Sequence, residues 1–137
     1  MKRNVKIYRR NDLTGILPAL KELLDICYPN PPKDVFYRVM EQYRIGFPAY
    51  VAVDENSEVV AFTHLAPNSK GGTLENLAVH PDFRSLHIGS DLVLRLLHEN
   101  QGVIQITTRI PEFFEKLSFQ SITQLPDHSY FMICLNY

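Results

Sequence analysis

The stretch LAVHPDFRSLHIGSDL, Leu77 to Leu92, runs a strand-like apolar segment through a basic loop directly into a helical pattern. Junctions of this kind bind anions. The N–H groups of a first helical turn lack partners within the helix and point along the macrodipole toward a phosphate. Arg84 adds a cation, and Gly89 permits close approach to the backbone. An arginine and a glycine also serve packing and solubility in many strand–loop–helix units, so these residues alone leave both readings open. Ser90 follows a glycine but lacks the G-x-S-x-G setting of a nucleophile elbow. The five histidines, His64 and His80 among them, show no HxxH or HxxxH spacing, and no metal site is expected. Cys27 and Cys134 form no CxxC or metal-spaced pair, and they read as reduced thiols rather than nucleophiles.

The elements that must position the junction follow from hydrophobic periodicity. Val5 to Tyr8 reads as a strand. Leu13, Ile16, Leu17, Leu20, Leu23 and Leu24 then recur at helical spacing through Cys27. With Thr14 as its cap, Pro18 falls in the first turn; with Asp12 as its cap, a kink is expected. YPNPPK ends that helix. Asp34 can cap a second one carrying Phe36, Val39, Met40 and Tyr43 on one side, closed by Gly46 and Pro48. Tyr50 to Val53 and Val59 to Leu65 form a hairpin candidate across DENSE, and TLENLAV beyond PNSKGG completes an antiparallel meander. Gly89 to Asn100 is helical, with Leu92, Val93, Leu96 and Leu97 facing inward. Val103 to Thr107 is a strand, Pro111 to Lys116 a short helix, and Phe119 to Thr123 and Tyr130 to Leu135 are final strands.

At 137 residues, 45% hydrophobic and 21% charged, the chain has the profile of one globular domain able to hold a core without disulfides or a structural metal. MKRNVKIYRRND is not followed by an apolar stretch long enough for a secretory segment, and no later run reaches a membrane span. A soluble, cytoplasmic protein is expected. A formal net charge of −1 and scattered basic residues argue against nucleic acid as a partner, and no membrane association is expected.

The order of residues in LAVHPDFRSLHIGSDL resembles the signature of the GNAT superfamily of N-acetyltransferases: a strand, V-x-P, an arginine, and a glycine-containing turn into a helix. FFEKLSF, Phe113 to Phe119, resembles that family's second signature. The resemblance runs from Thr73 to Leu135. It implies an α/β fold, a mixed and mostly antiparallel sheet of about seven strands flanked by about four helices, with acetyl-CoA as acyl donor. It also implies that the backbone of Leu77, Ala78 and Val79 pairs with the pantetheine arm. The amides of Arg84, Ser85, Leu86, His87, Ile88, Gly89 and Ser90 would then surround the pyrophosphate, where the Leu77 and Val103 strands splay apart. His87 stands where the family usually has the first glycine of R-x-x-G-x-G. A left-handed backbone there would cost a histidine about 1 kcal/mol, whereas a helical one, the reading adopted, costs nothing.

The reaction the resemblance implies is direct acetyl transfer to a primary amine, which must first lose its proton. For a lysine-like amine that costs roughly 4–5 kcal/mol at pH 7, and for a peptide α-amine about 1. Glu75, two residues before Leu77 and expected on the same side of the strand, is the candidate base, although the family often has its glutamate where this chain has Thr73. His64 and His80 are secondary candidates. Phe114 occupies the cofactor-side position where many members have a tyrosine to protonate the leaving thiolate. The segment ITTRIPEFFEKLSFQSITQLP, Ile106 to Pro126, is similar to the acetyltransferase domain of N-acetylglutamate synthase. By that likeness Arg109 pairs with an acceptor carboxylate, and Thr107 and Thr108 lie beside cofactor or acceptor; Arg109 bracing a turn is the other reading. The expected partner is a small, amino-acid-like amine, with a protein amine or a non-catalytic acetyl-CoA-binding role as alternatives. A homodimer is allowed.

Overall fold

A computed structural model describes residues 4–10, 14–28, 35–44 and 46–137. Seven strands, β1 (Val5–Arg10), β2 (Ala49–Asp54), β3 (Val59–Asn68), β4 (Gly71–Val79), β5 (Gly102–Thr108), β6 (Gln120–Gln124) and β7 (Tyr130–Asn136), join in one sheet of order β1-β2-β3-β4-β5-β7-β6. Four helices flank it: α1 (Leu17–Cys27), α2 (Val35–Arg44), α3 (Ile88–Glu99) and α4 (Pro111–Glu115). The α/β architecture and its elements follow the sequence-based expectation, with boundaries moved by one to a few residues.

Every strand pairing is antiparallel except β4 with β5. That parallel pairing is confined to Gly71–Thr73 against Val103–Gln105, and beyond it the two strands part. Two glycines make the junction possible. A Cβ on Gly102, whose φ is +115°, would sit 2.2 Å from the Lys70 carbonyl oxygen, and one on Gly71 would sit 2.4 Å from the Val103 oxygen. Only residues without a side chain let these backbones approach so closely.

The sheet separates two apolar layers. On one face, Leu92, Val93, Leu96 and Leu97 of α3 pack with Leu65, Leu74 and Ile104, and α4 adds Phe114. On the other, Leu20, Leu23 and Leu24 of α1 and Val35 and Val39 of α2 pack with Val51, Phe62 and Ala78. Covering on both faces explains why AYVAV, Ala49 to Val53 of β2, is continuously apolar rather than alternating. β6, at the sheet edge, is exposed throughout.

A 3-10 turn, Thr14–Ile16, precedes α1, whose N-cap is Ile16 without a side-chain cap bond. Neither sequence-predicted cap fills that position. Pro18 falls in the first turn, where its missing N–H is tolerated. Asp12, Leu13 and Asp34 lie outside the described residues, as does most of YPNPPK and the side chain of Tyr43. No helix among the described residues is long and apolar enough to cross a membrane.

Candidate functional site

The site grows from an irregularity in β4. Phe62 pairs with Ala78 and His64 with Glu75, so Asn76 and Leu77 together oppose the single residue Thr63. This is a β-bulge, and Asn76 takes the left-handed backbone, φ +55°, that accommodates the extra residue. Its consequence is a change of phase. Leu74 and Leu77, three residues apart, both pack on the α3-side core, which uninterrupted alternation forbids. Glu75 stays with its partner His64, whose ring touches Phe62 of the opposite layer at 5.4 Å between centroids. The expectation that Glu75 and Leu77 share a side of the strand is therefore corrected: the bulge sets them on opposite sides.

Past the bulge, three side chains converge on the carbonyls of β4. The Tyr28 hydroxyl donates to Leu77 O at 3.4 Å, and the Cys27 thiol and Arg84 Nε donate to Val79 O at 3.5 and 3.1 Å. Burial pushes the Cys27 thiol and the Tyr28 phenol up from their ordinary values, the nearby Arg84 partly opposing the first. Cys134 is buried in the α3-side core.

The loop from β4 to α3 is anchored in its first half. His80 N donates to Val60 O at 2.8 Å, the Nδ1 of His80 accepts from Asp82 N at 3.0 Å, and Phe83 is buried. Ser85 and His87 then both adopt positive φ, at 67° and 62°. His87 is thus left-handed and serves as N-cap of α3, the opposite of the helical conformation expected for it. The conformation costs roughly 1 kcal/mol for a residue with a Cβ. It turns the chain into α3, whose first residues line the same hollow as Arg84.

A cavity of about 720 Å³ lies there, lined by Leu77, Val79, Arg84, His87, Gly89 and Phe113 among others. Ser85, Ile88 and Ser90 also line it, so most of the residues expected around the cofactor are brought together. Leu86 is exposed and outside this lining, and Ala78 is outside it too, its side chain buried in the α1-side core. A second cavity of about 440 Å³ opens where β4 and β5 part, lined by Tyr28, Thr73, Glu75, Thr107, Thr108 and Arg109 among others. Phe114 belongs to this second lining, with Thr107. Leu77 and Ile110 line both cavities, which therefore meet at the bulge.

Behind the second cavity, His64 is buried and its Nε2 lies 3.2 Å from the Asn76 amide and 3.9 Å from Glu75 Oε2, two residues that do line it. Burial lowers its pKa to about 4, against the opposing pull of Glu75, so the imidazole is neutral near pH 7. Thr108 Oγ accepts from Ile110 N, and Thr73 Oγ accepts from Gln105 Nε2. Arg109 reaches Asp127 Oδ2 at 3.4 Å on the rim. Asp127 is itself fixed by Ser129, whose N and Oγ donate to its Oδ1 at 3.0 and 2.5 Å and hold its carboxyl below the usual range. His80, turned onto Asp82 and Phe83, is not part of this cavity. No group of three histidine, cysteine or carboxylate side chains suited to a metal occurs among the described residues. Sequence reasoning does not single out Tyr28 or Asn76, since neither sits in a spaced pattern and both owe their roles to contacts with residues distant in sequence.

The profile of the acetyltransferase (GNAT) domain matches residues 46–121, from just before β2, the first strand of the meander, to the start of the edge strand β6. The chain belongs to the GNAT acetyltransferase family and is an enzyme of acetyl transfer that uses acetyl-CoA. Comparison with the curated proteins returns no match. Among solved structures, aminoglycoside 6'-acetyltransferase type Ii superposes with a TM-score of 0.80 at 22% identity, over 98% of this chain and 97% of that one. The GNAT family N-acetyltransferase YhbS of Escherichia coli, in complex with CoA, gives 0.80 at 16% identity, over 98% and 82%. The aminoglycoside 6'-N-acetyltransferase of Enterococcus faecium gives 0.77 at 21%, over 95% of each chain. At these identities the likeness establishes the fold.

Proposed function

We propose that this enzyme acetylates the primary amine of a small, amino-acid-like acceptor by direct attack on acetyl-CoA. The observation that carries the reading is the meeting of two cavities at Leu77 and Ile110. One is flanked by a helix N-terminus and Arg84, and the other holds a carboxylate, Glu75, together with a guanidinium, Arg109.

In this reading the acyl donor is held by the backbone of Leu77, Ala78 and Val79 and by amides from Arg84 through Ser90, which suit a pyrophosphate by charge and direction. The solved GNAT relative in complex with CoA supports the choice of ligand. The acceptor occupies the second cavity. Its nitrogen must be neutral to attack, and Glu75 is the group that takes the proton, directly or through one water. The amine lone pair then forms the C–N bond at the thioester carbon, and the C–S bond breaks with its electron pair leaving on sulfur. His64, neutral and buried, adds no cation that would repel the incoming ammonium. Arg109 offers the remaining donors of its guanidinium to an acceptor carboxylate while Asp127 steadies it from outside. The aminoglycoside acetyltransferase structures support a small molecule as acceptor.

The test is release of free thiol from acetyl-CoA with matched acceptors, an amino acid against its carboxamide. Faster turnover of the free acid is expected. Equal turnover of both would remove the amino-acid-like acceptor, and no amine-dependent release from a broad panel would remove small-molecule acetylation.

A further inference from the structure

Breaking the C–S bond leaves a thiolate where the two cavities meet, and some group must stabilise it there. The ring of Phe114 lines that region and is 2% exposed, but it has no proton to offer. Thr73, Thr107 and Thr108 also line it with hydroxyls, but aliphatic alcohols are far weaker acids than a phenol and weaker donors to an anion. One phenol does line the cavity. Tyr28 follows the last turn of α1, and its backbone N–H is tied to Leu24 O at 2.8 Å. Its hydroxyl reaches across to the carbonyl of Leu77, one of the two residues common to both cavities.

We propose that Tyr28 is a further catalytic residue, donating its phenolic O–H to the departing sulfur at the junction beside Leu77. The proposal rests on the reading that the thioester lies where the cavities meet.

The geometry suits such an exchange. At 3.4 Å the bond to Leu77 O is long, so its loss costs little, and a carbonyl has other donors to draw on. The bond to a forming anion is charge-assisted and stronger than the neutral one it replaces. A phenol near pKa 10, raised further by burial, does not surrender its proton to a thiolate whose thiol has a pKa near 8.5. Tyr28 therefore stabilises the thiolate by a hydrogen bond and stays a phenol. The ammonium gives one proton to Glu75 before attack, and the second, released from nitrogen once the C–N bond has formed, passes through solvent to the sulfur, so protons and charges balance across the reaction. α1 thus supplies from one wall of the cleft what the Phe114 side of α4 lacks.

The experiment compares the wild type, Tyr28→Phe and the control Tyr8→Phe, an exposed residue of β1. Turnover is measured with acetyl-CoA, and affinity is titrated separately for CoA and for desulfo-CoA, which lacks the sulfur. Tyr28→Phe is expected to lower kcat about 10- to 100-fold, with the KM for acetyl-CoA within about twofold. The wild type should prefer CoA to desulfo-CoA increasingly as the pH rises toward 9, and the variant should lose that preference while binding desulfo-CoA as the wild type does. A purely structural role would weaken both nucleotides alike, which overturns the proposal, as does unchanged kcat. Failure of the wild type to bind either nucleotide overturns this proposal together with the reading beneath it. Binding with an unaltered preference in the variant overturns this proposal alone.

Discussion

The side-chain amide of Asn76 lies 3.2 Å from Nε2 of His64, across the strand pair at the bulge that reverses the phase of β4. An Nε2 that accepts from this amide belongs to a neutral imidazole, and burial of the ring enforces the same state. With a folded pKa of about 4 against 6.5 unfolded, His64 binds fewer protons folded than unfolded between those values. Stability is then unaffected by His64 above pH 6.5 and falls as the pH drops toward 4, by as much as about 3 kcal/mol. His64→Gln should flatten this dependence. Urea unfolding of both proteins between pH 7.5 and 5 checks it, and parallel stability curves would contradict the assignment.

Gly102 and Gly71 set the width of the cleft. Gly102→Ala combines a left-handed backbone with a contact of 2.2 Å to the Lys70 carbonyl, so the strands must separate. A loss of roughly 2–4 kcal/mol is expected in denaturant unfolding. Because the β4–β5 pairing is only three residue pairs wide, acetyl-CoA affinity should fall as well. A change below about 0.5 kcal/mol would mean that the junction is looser than described.

Glu75→Gln keeps the shape of the side chain and removes its basicity. Turnover should drop at least about 100-fold, with acetyl-CoA affinity within about twofold, since general bases contribute on that scale. Steady-state kinetics paired with a binding titration separate the two, and unchanged turnover would remove Glu75 as the base.

Arg109→Ala should raise KM for carboxylate-bearing acceptors about 10-fold or more, the scale of a hydrogen bond to a charged group. Acceptors without a carboxylate should respond little. The comparison is made across an acid and its amide, and a uniform effect on both would leave Arg109 as a brace on Asp127 and nothing more.

The order of strands and helices was legible because it rests on local signals: the apolar spacing of Leu92, Val93, Leu96 and Leu97, the turns DENSE and PNSKGG, and the glycines. The signature from Leu77 to Leu92 likewise lies in one contiguous stretch, so the anion-binding end of the site could be read residue by residue. What could not be read depends on partners distant in sequence. The bulge at Asn76 exists only because β4 spends two residues against Thr63, and no property of LENLAV alone announces it. Tyr28 sits in a helix-terminating run, and its contact with Leu77 spans 49 residues. The sequence around His87 points to a helical residue because its neighbours are helical, whereas the turn that enters α3 has a left-handed residue there.

The measurement that bears most directly on acetyl-CoA use is a titration of the purified protein with acetyl-CoA, followed by heat and by melting temperature. Saturable binding, with a melting temperature that climbs as ligand is added, is predicted, because a ligand bound only by the folded state must stabilise it. No binding and no shift at millimolar acetyl-CoA would contradict the account, leaving the cleft between β4 and β5 without the ligand its geometry suits.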